Sequence, residues 1–242
     1  MMFQWEPDRI RFMRDASEYG DYHQRLAELM SPWLHKETHI CDAGCGLGYL
    51  SLALAPYVKQ VTAVDKNADA LQVLEENCRR RGIHNVIVRC GNLALMQPKE
   101  LYDSMAFCLF GHIGEILAIA KRQCRGKVFV ITKNDAAHRF SVGSYALEGN
   151  HYQTACRYLR ERGIPFESRT LKLELGQPFR NREDARRFFQ LYSRDEDKSA
   201  ITDNFLRKKL TETENDSFPY YLPHARKLGF IQLDAGNIPT IP

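Results

Sequence analysis

No stretch of the 242-residue chain approaches the run of about 18 apolar residues that a membrane span needs. The opening MMFQWEPDRIRFMRDASEYG is charged from Glu6 onward, unlike the apolar centre of a signal peptide. A soluble, cytoplasmic, unprocessed protein with no membrane partner is expected. Also missing is any C-x-x-C pair or zinc-type spacing among the seven cysteines, at 41, 45, 78, 90, 108, 124 and 156. Odd in number and mostly set in apolar surroundings, they read as reduced core thiols, and no metal site is expected. Charge imbalance is slight: 34 basic against 30 acidic residues give +4, too mild to imply a nucleic-acid partner. The basic runs at Arg79 to Arg81, Arg186-Arg187 and Arg207 to Lys209 have acids nearby and read as solvated helix faces. With no internal repeat or low-complexity tract, and 44% hydrophobic residues, the length suits one large α/β domain with an inserted subdomain.

Apolar periodicity alternates between strand and helix over the first two thirds of the chain, which predicts a mainly parallel sheet covered on both faces. Strands are expected at 39–42, 60–65, 85–90, 104–110 and 127–132, with helices at 49–55, 68–81, 113–122 and 150–162. Gly82 and Gly163 end the second and last of these helices. A helical stretch over 8–33, broken near Tyr19 to Tyr22, precedes them. Two late strands, 166–175 and 225–233, are separated by a segment too long for a hairpin loop, so helices are expected within it near 182–192 and 203–211.

Between the first strand and first helix of this alternation lies Asp42-Ala43-Gly44-Cys45-Gly46-Leu47-Gly48. Glycines there permit positive φ and close approach of a ligand to the backbone, while the helix start supplies free N–H donors. A dinucleotide fingerprint wants G-x-G-x-x-G, but the third glycine is replaced by Tyr49 counted from Gly44, or by Ser51 counted from Gly46. The acid at Asp42 suits a cationic ligand better than a pyrophosphate. Val64-Asp65 ends the second strand, where a carboxylate can accept both hydroxyls of a ribose. Asn92, after the third strand, offers a donor and an acceptor to an adenine edge. Singly, each has a plainer use: the aspartates as helix caps, the asparagine in a turn. Jointly they fall at successive strand ends, where open α/β sheets bind ligands.

This motif order, most specifically D-A-G-C-G-L-G followed by V-D over residues 35–135, resembles the class I S-adenosylmethionine-dependent methyltransferases. The resemblance implies a doubly wound, seven-stranded, mainly parallel Rossmann-like sheet with an antiparallel last strand, and S-adenosylmethionine as cofactor. By the same likeness Asp42 and the backbone of Gly44, Cys45, Gly46 and Gly48 would hold the methionine end, Asp65 the ribose and Asn92 the adenine. Lys66 and Phe110 would be further cofactor contacts. Aspartate is commoner in the family where Asn92 stands. The implied organisation is an N-terminal helical lid (1–34), a core (35–179 and 216–242) and an inserted helical cap (180–215) like those covering small substrates.

Methyl transfer from a sulfonium requires alignment in a water-poor pocket, and a base only when the acceptor must lose a proton. His112, in the loop after the fourth strand, is a candidate base, although a loop histidine more often has a structural role. Neither N-P-P-Y nor D-P-P-Y stands at Cys108-Leu109-Phe110-Gly111, and no proline follows Cys108, which lowers the weight of nucleic-acid acceptors. Tyr19, Tyr22, Phe188, Phe189 and Tyr192 are candidates to roof the pocket, though aromatics in helices are by default core. Arg180, Arg182, Arg186 and Arg187 lie among acids, so ion pairing is expected of them before substrate capture. The leading expectation is methylation of a small molecule. The rivals are an RNA or protein methyltransferase, a cofactor-binding scaffold without catalysis, and a nicotinamide oxidoreductase, the last disfavoured by Tyr49.

Overall fold

Strands buried on both faces need near-continuous apolar runs. The strands His39–Ala43 (β1), Gln60–Asp65 (β2), Val86–Cys90 (β3), Tyr102–Cys108 (β4) and Cys124–Lys133 (β5), all but the partly exposed edge strand β3 mostly buried, form in the computed structural model, which describes residues 5–135, 139–145 and 152–239. Ahead of and between them lie Pro7–Tyr19 (α1), Tyr22–Met30 (α2), Tyr49–Leu54 (α3), Ala68–Arg81 (α4) and Ile113–Gln123 (α5), followed by Tyr152–Glu161 (α6). Local chemistry sets the ends of α4: Asn67 Oδ1 accepts the Ala70 N–H at 2.8 Å, and Gly82 closes the helix in the left-handed region at φ 63°. The chain then continues through Glu167–Glu174 (β6), Gln177–Phe179 (β7), Arg182–Tyr192 (α7), Asp203–Lys209 (α8), Thr211–Glu212 (β8), Tyr220–Leu222 (β9) and Ala225–Asp234 (β10).

The main sheet has the order β3-β2-β1-β4-β5-β10-β6, with β1 to β5 parallel and β10 antiparallel to both its neighbours. Helices α5 and α6 cover one face through Ile116, Leu117 and Leu159, while α2 and α3 cover the other through Leu26, Leu50 and Leu54. This is the doubly wound, seven-stranded Rossmann-like arrangement. Strand order reverses between β1 and β4, opening a crevice at their C-terminal ends. Because β10 runs the other way, its first residues reach that same edge: Leu228 lies opposite Lys133, and Ala225 opposite Glu174.

Two local expectations need correction. Strand β4 stops at Cys108 instead of reaching Phe110, because Leu109 turns into the left-handed region at φ 55° and leads the chain out of the sheet. The long segment between the late strands is not purely helical: beside α7 and α8, β7, β9 and β8 form a three-stranded antiparallel sheet. Strands of two or three residues are too short to show a period. The expected start of the fourth core helix, Asn150, lies outside the described residues. Phe179, Phe188, Phe189, Ile201, Leu206 and Leu222 give the 176–222 region a hydrophobic cluster of its own, which Phe12 of α1 joins. Among the described residues, no helix is long and apolar enough to cross a membrane.

Candidate functional site

The turn leaving β1 is shaped by its neighbours as much as by its glycines. Gly44 and Gly46 have φ of 69° and 53°, and a Cβ on them would lie 2.3 Å from the Phe110 ring and 2.8 Å from the Trp5 ring. Glycine is thus required twice over, by conformation and by the aromatic walls. The Gly44 and Cys45 N–H groups donate to the Val64 carbonyl at 2.8 and 3.0 Å, fixing the turn to β2. Asp65, half-buried at the end of β2, accepts the Gly46 N–H on one carboxylate oxygen and the Asn67 N–H on the other, each at 2.9 Å. A carboxylate has about four lone-pair positions, so two stay available to a ligand.

Asp42 is placed differently. It is 1% exposed, and the Ser51 hydroxyl of α3 donates to it at 2.5 Å. Burial, opposed by the Ser51 bond and reinforced by the charge of Asp65, pushes its carboxyl up to about 6. In this conformation Asp42 braces the glycine turn against α3. Asn92 is exposed, its side-chain oxygen accepting the Ala94 N–H at 3.0 Å, while Lys66 is exposed beside Asp65. Phe110, half-buried, sits 5.6 Å from Phe107 between ring centroids. The structure therefore brings Gly44, Cys45, Gly46, Asp65 and Phe110 together at one edge of the sheet. His112 is the N-cap of α5, where Nδ1 accepts the Glu115 N–H at 3.3 Å.

A family model described as a methyltransferase domain matches residues 34–173. The chain belongs to the class I S-adenosylmethionine-dependent methyltransferases. The chain is 32% identical over 82 residues to a 23S rRNA (uracil(1939)-C(5))-methyltransferase of Chromohalobacter salexigens, an alignment covering 33% of this chain and 17% of the relative. To a probable cobalt-precorrin-6B C(15)-methyltransferase (decarboxylating) of Methanothermobacter thermautotrophicus it is 33% identical over 94 residues, covering 37% and 49%. The chain thus spans at most about half the length of these two curated relatives. In fold it is similar to the YcgJ protein of Bacillus subtilis, with a TM-score of 0.57 at 15% identity over 87% of this chain and 97% of that one.

Further along the same edge the protein has a cavity of about 300 Å³ between the end of β5, the start of β10, α1 and the 176–222 region. Lys133, Asp135, Arg194, His224 and Arg226 bring charge or hydrogen-bonding capacity to it, and Met13, Phe188 and Tyr192 apolar surface. Of the expected roofing aromatics, Phe188 and Tyr192 line the cavity; Tyr22 and Phe189 are core residues; Tyr19 stacks on Tyr221 with ring centroids 5.1 Å apart. The four cap arginines are ion-paired: Arg180 with Asp15, Arg182 with Glu212, Arg186 with Asp203 and Arg187 with Asp8. Sequence reasoning missed Trp5, Lys133, His224 and Arg226. Lys133 and Arg226 stand at ends of expected strands, but their nearness across β5 and β10 depends on a pairing that periodicity alone does not specify.

Proposed function

We propose that the protein transfers the methyl group of S-adenosylmethionine to a small molecule seated in the cavity beneath the 176–222 cap. The cavity itself carries this reading, since it lies on the sheet edge that presents Asp65 and the glycine turn, and apolar side chains contribute to its walls. The residues suit the cofactor: a glycine cradle that side chains would fill, and a half-exposed carboxylate with acceptor positions left. Asp65 would take the ribose hydroxyls, Asn92 and Phe110 the adenine side, and the backbone of Gly44, Cys45 and Gly46, braced by Asp42, the methionine end, with Lys66 at the rim. Bound there, the sulfonium supplies an already activated methyl group whose departure leaves a neutral thioether. The chain's own residues then have to orient the acceptor and exclude water, with Met13, Phe188 and Tyr192 forming the apolar side.

Mass spectrometry of small molecules retained by the purified protein tests the cofactor assignment. S-adenosylmethionine or S-adenosylhomocysteine should be retained, or should stabilise the fold when added, by about 2.7 kcal/mol at a hundred times the dissociation constant. Stabilisation by NADH with none from either adenosyl compound would refute the reading. The likeness to an rRNA methyltransferase makes mixed RNA the necessary control: binding that weakens steeply with salt would move the acceptor to RNA.

A further inference from the structure

We propose that the cavity selects an anionic acceptor: a small molecule with an apolar or aromatic body and one carboxylate or phosphate group, held among Lys133, Arg139, Arg194 and Arg226. This rests on the acceptor site proposed above and adds the chemistry of its occupant. Among the described residues, four cationic side chains line the cavity against one carboxylate, Asp135. The arginines of α7 and its approach, by contrast, are ion-paired. Lys133 and Arg226 are different, for neither forms a salt bridge among the described residues.

Like charges gathered in a partly enclosed space repel, and a bound anion removes that cost. The strain is visible at Lys133, whose ammonium is held below the usual lysine range by burial and by the neighbouring Arg226 and Arg194, with Asp135 opposing. A second observation also points to a ligand. His224, 7% exposed, lines the same cavity, and its Nε2 has no hydrogen-bond partner among the described residues. Unpaired buried polar atoms are uncommon in native proteins, and a polar ligand group is one remedy. Met13, Phe188, Tyr192 and Leu228 also line the cavity and offer surface for an apolar body, which a bare inorganic anion would leave unused. A pocket of about 300 Å³ with an apolar lining suits a small molecule better than a polymer, which would need an extended basic surface.

Calorimetric titration of the S-adenosylhomocysteine-saturated protein with four probes tests this: 4-hydroxyphenylacetate, phenyl phosphate, the neutral 4-hydroxyphenylacetamide and the cationic tyramine. At least one acid should bind with a Kd below about 1 mM, with the amide at least about tenfold weaker and tyramine weaker still. Arg226→Gln and Lys133→Met should each weaken the acid about tenfold or more, leaving the affinities for the amide and for S-adenosylhomocysteine unchanged. Unaltered cofactor affinity also certifies the fold of each variant, and either variant alone suffices if the other does not fold. Tyramine binding as well as the acids, failure of both acids to bind, or variants indifferent to the acids would overturn the proposal. So would an equal loss of S-adenosylhomocysteine affinity, which would assign the cations to the cofactor's own carboxylate. Displacement of the acid by mixed RNA would likewise overturn it. Failure of the cofactor reading looks different: the acids would bind while S-adenosylhomocysteine did not.

Discussion

Asp65 holds two backbone N–H groups, and this changes what its substitution should do. Truncation to alanine removes the acceptors of Gly46 and Asn67 together with those proposed for the ribose. Asp65→Ala should therefore bind S-adenosylhomocysteine more weakly by about 2 to 3 kcal/mol, or roughly 30- to 150-fold. Asparagine is not a mild replacement here, because either orientation of its amide sets an NH₂ against one of the two backbone donors. Asp65→Asn should lose nearly as much as the alanine variant. Calorimetry on both checks this, and wild-type affinity in Asp65→Ala would remove the ribose from that carboxylate. The position of Asp65 was readable from a V-D pair ending an apolar strand. Its second duty was not, because the partner N–H groups belong to residues that the sequence identifies only by a turn.

Among the elements, α1 is the one whose role was least readable, since its amphipathic pattern states that one face is buried but not against what. The structure shows Phe12 inside the cap cluster, Arg11 bonded to Asp184 at 2.7 Å and Asp15 to Arg180 at 2.7 Å. Met13 both lines the cavity and packs on the cluster around the glycine turn, with Trp5 and Ile10. The expected cap boundaries, 180 and 215, would cut through the small sheet, whereas the Leu175 N–H donates to the His224 carbonyl at 2.9 Å and brings β6 and β10 together there. Replacing residues 176–223 with a short Gly-Ser turn should accordingly give a soluble chain that binds S-adenosylhomocysteine but has no acceptor turnover. Because the deletion bares Phe12, α1 should lose amide protection as well, measurable by hydrogen exchange. Retained turnover would locate the acceptor elsewhere. The strand and helix alternation of the core was legible because each element is long enough to show its period; β7, β8 and β9 are not.

For the whole molecule, three buried titratable groups pull stability in opposite directions with pH. Burial, with the charges of Arg226 and, for His224, Arg139, holds His23 and His224 neutral down to about 3. The unfolded chain takes up their protons from about pH 6.5 downward, so folding loses about 3 to 5 kcal/mol per histidine as pH falls across that window. Asp42 acts in reverse: its folded pKa of about 6 exceeds the unfolded value, so acid relieves about 3 kcal/mol of destabilisation between pH 6 and 4. Two histidines outweigh one aspartate, and melting temperature should fall between pH 7 and 5. His224→Gln should flatten that fall. Asp42→Asn should raise the melting temperature at pH 8 and steepen the fall, and an unchanged pH profile in both variants would contradict the argument. Sequence singles out Asp42 for its place before the glycine turn, but it marks none of the three groups as titrating abnormally, because only the folded packing removes them from water. The molecule also carries its own optical reporter. Of its two tryptophans, Trp33 packs beside Phe129 under the far face of the sheet, whereas Trp5 rests on Gly46. A ligand laid on the glycine turn must change the surroundings of one indole and spare the other, so intrinsic fluorescence should respond to S-adenosylhomocysteine in the wild type and in Trp33→Phe, and fall silent in Trp5→Phe.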